Sequence, residues 1–146
     1  MKTTERFDKA VTKLYNAYHN GELEATNCMM CAVGNICDGD YNWAKYFGYM
    51  TDDDNDEEII TEIFQRYETI STELYNKNGY SGEELANVEL VFLNKFIGFK
   101  STDKEAQFNG LCAVVEYLCE LDNIANVMDY TKLFETENNQ PKYQLS

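Results

Sequence analysis

The chain has one proline among its 146 residues, Pro141, and that proline lies near the end of the sequence. A proline inside a helix removes a backbone hydrogen bond and clashes with the preceding turn. No proline therefore interrupts a helix before residue 141. A chain of this length forms one domain that buries about two-thirds of its unfolded surface, and its hydrophobic fraction of 44% is ample for a core. The sequence favours an all-α fold.

Apolar residues recur at three- and four-residue spacing in four stretches, which is the pattern of amphipathic helices. The first stretch covers residues 3–20, the second follows an acidic run at 51–58, and the third and fourth begin near Ser81 and Thr102. In the first three, the apolar stripes are Phe7, Ala10, Val11, Leu14, Tyr15 and Tyr18; Ile59, Ile60, Ile63, Phe64, Tyr67, Ile70 and Leu74; and Leu85, Val88, Val91, Phe92 and Phe96. We predict four long helices.

Residues typical of helix ends bound these stretches. Gly21 and Gly79 follow the first and second stripes, where glycine readily adopts the left-handed conformation that ends a helix. The pairs Ser81 with Glu84 and Thr102 with Glu105 match the capping-box spacing at the starts of the third and fourth. The acidic run at 51–58 suits the positive end of the second helix dipole.

Shorter helices are predicted for residues 28–37, 41–50 and 126–135. The first is expected to be buried and to end at the sequence DGD, residues 38–40. The expected architecture is one bundle of four long helices with two or three short ones, occupying residues 1–135. Residues 136–146 are predicted to be a C-terminal tail.

The charge balance limits the partners of the chain. Its net charge is −14, from 26 acidic and 12 basic residues. A surface this negative repels phosphate backbones and anionic lipid heads, so we expect no nucleic acid and no membrane surface as partner. A basic protein partner, a cation or solubility alone fits better. No run of about 18 apolar residues predicts a membrane span.

Five cysteines without a recognisable export signal predict a reducing compartment, the cytoplasm. Three of them are clustered at Cys28, Cys31 and Cys37. A C-x-x-C pair places two thiolates on one metal, but structural zinc normally needs four ligands. His19 or Asp38 is the candidate fourth ligand, with Asp40, Cys112 and Cys119 as further choices. The set is incomplete, so no cofactor is expected, although zinc or iron remains a hypothesis.

Two other interpretations of the cluster stay open. A C-x-x-C at a helix N-terminus can act as a thiol–disulfide centre, but that motif normally follows a strand and no strand is evident here. Alternatively, the cysteines pack as small apolar residues, because free cysteine is among the most buried residue types. We favour this core interpretation, and we extend it to Cys112 and Cys119.

Other motifs that carry chemistry are absent from the sequence. Calcium loops beginning at Asp38 or Asp52 lack the required glycine and glutamate. Neither a dinucleotide fingerprint nor a P-loop occurs. His19 is the one histidine, and capping of the first helix suits it better than catalysis. An enzyme is therefore less expected than a binding protein.

Three stretches carry a resemblance when taken together: CMMCAVGNIC, YSGEELANVELVFL and FNGLCAVVEYLCELDNIANVMDYTKLFE. They resemble a family of small acidic helical proteins from Bacteroidetes and their tailed phages, including crAss-like phages. Some members are named after the ferredoxin-containing flavoprotein of the sodium-translocating NADH-quinone reductase. This chain departs from that flavoprotein, because its cysteines follow the order C-x2-C-x5-C rather than C-x5-C-x2-C. The resemblance implies a phage or bacterial host context.

The function predicted from the sequence is a non-enzymatic accessory or protein-interaction module. One alternative is a metal-binding or thiol redox protein, active in electron transfer, that uses Cys28, Cys31 and Cys37. The other, implied by the resemblance, is a phage virion or packaged protein.

Overall fold

A computed structural model describes residues 3–25, 27, 29–51 and 57–145, with side chains described outside residues 48–67. In this part of the chain there are seven α-helices: α1 Glu5–His19, α2 Ala32–Ile36, α3 Tyr41–Thr51, α4 Glu57–Asn78, α5 Gly82–Asn94, α6 Lys104–Leu121 and α7 Val127–Thr131. The all-α prediction is confirmed, with α1, α4, α5 and α6 as the long helices.

The predicted last short helix is divided into two elements, and part of the predicted tail forms a hairpin. A 3-10 helix, Lys132–Phe134, follows α7, and an antiparallel hairpin follows it with strands β1, Thr136–Glu137, and β2, Gln140–Pro141. Asn138 and Asn139 form its turn with φ of 55° and 63°. Two left-handed residues between paired strands suit a tight hairpin, and asparagine tolerates that conformation.

One predicted capping box is confirmed and the other is wrong. At the start of α5, the Glu84 N–H donates to Ser81 Oγ at 3.1 Å, and the Ser81 N–H donates to Glu84 Oε1 at 2.9 Å. At the start of α6, Thr102 lies in a turn and Asp103 is the cap, accepting from the Ala106 N–H at 2.9 Å. The cap lies one residue later than predicted because an aspartate follows the threonine and serves equally well.

The core lies along α6, which packs against both α1 and α5, with α2 and α3 packed against α5. Phe7, Leu14, Phe92 and Leu118 are fully buried there. Helices α5 and α6 approach closely at Gly110, where a Cβ would come within 2.7 Å of the Phe92 ring. A larger residue would push these two helices apart, so Gly110 sets the spacing of the α5–α6 pair.

Most of the α4 stripe has side chains outside the described part of the chain. Residues 52–56 of the acidic run also lie outside it. Of the stripe, Ile70 and Leu74 are described and both are buried. Gly79 follows the end of α4 with φ +83° and its N–H donates to the Tyr75 carbonyl, as predicted. Among the helices described here, none has the length and apolar content that a bilayer span requires.

Candidate functional site

The cysteine segment forms a shorter helix than the sequence predicted. Helix α2 covers Ala32–Ile36 rather than 28–37. Cys31 is its N-cap, and the Cys31 sulfur accepts the Gly34 N–H at 3.2 Å. Cys37 is the C-cap, and Asp38 and Gly39 follow with φ of 55° and 72°. The two cysteines therefore lie at opposite ends of α2, while Cys28 lies outside the described residues.

Cys31 contacts a buried carboxyl group from α5. Glu89 is 2% exposed, its Oε2 accepts the Val33 N–H at 3.3 Å, and its carboxylate accepts a hydrogen bond from the Cys31 thiol. The buried indole Nε1–H of Trp43 lies beside the same sulfur and makes no hydrogen bond of good geometry among the described residues. These three side chains form a small polar cluster, Cys31–Trp43–Glu89, inside the apolar core.

Burial controls the protonation of Glu89 and Cys31 in this polar cluster. It raises the pKa of Glu89 to about 7, although the hydrogen bonds from Cys31 and Val33 act in the opposite direction. Burial, followed by the charge of Glu89, raises the pKa of Cys31 far above its ordinary value. The thiolate is the form that attacks substrates and binds metals. At neutral pH Cys31 is therefore a protonated thiol with 2% exposure, which suits a core residue.

Cys37 has a similar environment. It is buried and accepts a long hydrogen bond from Asn78 Nδ2 at 3.5 Å. Burial, with the charge of Asp40 as the next cause, raises its pKa to about 12. Burial likewise raises the pKa of Cys112 and that of Cys119, the latter to about 11. Cys37, Cys112 and Cys119 are free thiols.

The candidate fourth ligands make other contacts. His19 Nε2 lies 2.8 Å from the Leu133 carbonyl oxygen, and its ring packs against Tyr15. Asp38 forms an ion pair with Lys13 at 2.8 Å. Within the described residues, no group of three or more histidine, cysteine, aspartate or glutamate side chains is placed to hold a metal ion. The zinc or iron hypothesis, which includes Cys28, stays a prediction.

Sequence reasoning missed Glu89, although a signal was present. Glu89 lies four residues after Leu85 and three before Phe92, both of which belong to the predicted apolar stripe of α5. An acidic residue at that spacing falls on the buried face of the helix. The apolar members alone define the stripe, so an acid within it is easily overlooked although it needs a buried partner.

The other side of α5 forms an open groove with α6. Its hollow measures about 740 Å³ and lies between two stripes of side chains, one from each helix. Asn87 Nδ2 donates to Tyr117 Oη across it at 3.3 Å, and Leu90 is 54% exposed. The lining residues are Asn87, Leu90, Val91, Asn94, Lys95, Ala113, Glu116, Tyr117 and Glu120.

A second hollow of about 430 Å³ continues past the end of α6. It shares Glu116 and Glu120 with the first, and its remaining lining residues are Cys119, Asn123, Ile124, Ala125 and Val127. We call the two hollows together the α5–α6 groove. Glu116 and Glu120 are exposed at the junction, and neither pairs with a cation in the described part of the chain.

Comparisons of the chain with protein-family models, with curated proteins and with solved structures find no match. The resemblance to the Bacteroidetes and phage family stays a prediction.

Proposed function

We propose that this chain is a non-enzymatic protein-interaction module and that the α5–α6 groove is its binding surface. The observation that supports this proposal is an open groove with an apolar floor formed on two long helices. Leu90, Val91 and Ala113 contribute that floor. Sites built on helices hold their geometry more precisely than sites built on loops, and exposed apolar patches of this kind are typical of protein-binding surfaces.

The environment of Cys31 and Cys37 also supports a non-enzymatic role. Cys31 and Cys37 are buried and protonated at neutral pH, so neither offers an accessible nucleophile. The proposed location is the cytoplasm, where the thiols of Cys37, Cys112 and Cys119 stay reduced. In a phage context the same groove would serve a partner within the infected cell or the virion.

Site-specific photo-cross-linking tests the proposal. A photoreactive phenylalanine analogue replaces Leu90 in the groove or, as a matched control, Tyr75 on α4, which is also 54% exposed. We expect the Leu90 position to give a discrete adduct in native cells and the Tyr75 position to give none. The partner identified by mass spectrometry should bind the purified protein, and Leu90→Asp should weaken that binding about tenfold or more.

Two results would contradict the proposal. The first is the same set of adducts from both positions, which would indicate random collisions. The second is no adduct from Leu90 under conditions in which the protein is abundant and folded.

A further inference from the structure

The groove joins apolar floor and unpaired negative charge in a fixed order. The floor of the first hollow comes from Leu90, Val91 and Ala113, and that of the second includes Ile124 and Val127. The two carboxylates, Glu116 and Glu120, lie between these hollows. Any occupant that spans the groove must therefore present an apolar face with a charge in its middle.

The two carboxylates are one helical turn apart on α6. Like charges at this spacing destabilise a helix by about 0.2–0.5 kcal/mol, and no cation of the described chain neutralises them. A lysine or arginine of a bound partner would remove that repulsion. Bidentate or bridging contacts to an arginine also have favourable geometry.

The dimensions of the groove suit a helix. The α5 stripe extends from Asn87 to Lys95, which is about 12 Å at 1.5 Å per residue. An amphipathic helix of two to three turns can lie against the α5–α6 pair as a third helix, with apolar anchors at positions i, i+3, i+4 and i+7. Leu90 projects into this space with 54% of its surface exposed.

The total charge selects the kind of helix. A second copy of the chain would bring a net charge of −14 against −14 and would place the same carboxylates near one another, so self-association through the groove is disfavoured. A basic partner gains from both the local pair and the overall field. Lys95, at the far end of the first hollow, is the one basic residue of the lining.

We propose that the α5–α6 groove binds a basic amphipathic helix of a partner protein. The helix places apolar side chains on Leu90 and Ile124 and a lysine or arginine between Glu116 and Glu120. This inference rests on the proposed function, since it names the chemical class of the partner that the groove takes.

The probe is a synthetic 18-residue helical peptide with leucines on one face and a lysine pair in the middle of that face, together with a matched peptide in which glutamates replace the lysines. Binding is measured by fluorescence anisotropy in 0.15 M salt, where long-range attraction is screened. We expect saturable binding of the lysine peptide only. Glu116→Gln with Glu120→Gln should weaken it about tenfold, and Leu90→Ser about fivefold or more.

The control removes the same charge elsewhere. Glu68 and Glu137 are exposed and lie outside the groove lining, so the pair Glu68→Gln with Glu137→Gln should change the dissociation constant less than twofold. Circular dichroism and the thermal midpoint confirm that each variant is folded. These variants alter exposed side chains, so we expect their folding to be unaffected.

Equal weakening by both charge-removing pairs would overturn the inference, because it would indicate general attraction to an acidic protein. Full binding by Leu90→Ser would do so as well, because the peptide would then lie elsewhere. A dimer in sedimentation velocity that Leu90→Asp dissolves would assign the groove to a second copy. A partner cross-linked through Leu90 that binds equally well after Glu116→Gln and Glu120→Gln would leave the proposed function standing and refute only the basic helix.

Discussion

Glu89 is a carboxyl group in the core, and its hydrogen bonds come from the Val33 N–H and the Cys31 thiol rather than from a cation. A buried charge of this kind is costly, because water no longer solvates it. The pKa of Glu89 is therefore raised, to about 7, from an ordinary value of 4.5. The folded protein consequently binds a proton more tightly than the unfolded chain does between these two values.

We predict that Glu89 makes the protein less stable as pH rises from about 4.5 to 7. Its raised pKa means that the contribution is most favourable below the unfolded value, falls as pH rises through the folded value and is constant above it. The total change is about 3 kcal/mol, an order-of-magnitude figure. Glu89→Gln should remove this dependence, because an amide does not titrate in this pH range. The neutral amide can still accept from the Val33 N–H and donate to the Cys31 sulfur.

Urea unfolding at pH 5, 6, 7 and 8 measures the effect. The exposed Glu68→Gln variant serves as control and should follow the wild-type curve. Parallel pH curves for Glu89→Gln and the wild type would show that Glu89 does not titrate in this window.

At the scale of the element, α2 depends on the side chain of Cys31. That sulfur caps the helix through the Gly34 N–H, and serine is a better N-cap than most residues. We predict that Cys31→Ser destabilises the protein by less than about 1.5 kcal/mol, since capping and the contact with Glu89 persist while apolar surface is lost.

We also predict that zinc and iron stay far below one ion per chain in both the wild type and Cys31→Ser, and that a chelator leaves the thermal midpoint unchanged.

Elemental analysis of anaerobically purified protein decides the metal hypothesis. About one metal ion per chain in the wild type, lost in Cys31→Ser, would establish a site at Cys28, Cys31 and Cys37. Glu68→Gln is the control, because Glu68 is exposed on α4 and is none of the candidate ligands.

The long helices were predictable because their signals repeat over many residues. The stripe from Phe7 to Tyr18 is a signal of this kind, and it is present in the structure. The cap formed by Ser81 and Glu84 adds a second signal for α5, and it is also present. Short elements lack that redundancy. Helix α2 has five residues, so a single cap at Cys31 decides where it begins. The hairpin at 136–141 has two residues per strand, which is too short for an alternating pattern.

The candidate site was harder to predict than the fold. Glu116 and Glu120 are two acidic residues among 26, and only the packing of α5 against α6 and the turn after α6 places them between two apolar hollows. Glu89 becomes unusual only when α2 covers it. Tertiary contacts, rather than local pattern, create both features.

At the scale of the whole molecule, one ion pair joins distant parts of the chain. Arg6 on α1 donates from Nε to Asp122 Oδ1 at 3.0 Å, and from Nη1 to the Gly79 carbonyl at 2.7 Å. The guanidinium also lies 4.5 Å from the centre of the Tyr80 ring. The start of α1, the turn between α4 and α5 and the end of α6 are thereby held together. Thr4 Oγ1 completes the contacts by donating to Asp122 Oδ2 at 2.6 Å.

We predict that Asp122→Asn destabilises the protein by about 2–3 kcal/mol at neutral pH, because the Asp122 side chain is 4% exposed and two charge-assisted contacts are lost. Burial raises the pKa of Asp122, but hydrogen bonds from Arg6 and Thr4 outweigh burial and the net pKa is lowered. A lowered carboxyl pKa gives stability that is present above the unfolded value, 3.8, and is lost as pH falls through the folded value. The difference in the free energy of unfolding between wild type and Asp122→Asn, measured in urea, should therefore be largest at pH 7 and shrink below about pH 4.

The control variant Glu5→Gln breaks the exposed pair with Lys9 and should cost less than about 0.5 kcal/mol. An equal loss in both variants would mean that overall charge, rather than this contact between α1 and α6, holds the molecule together.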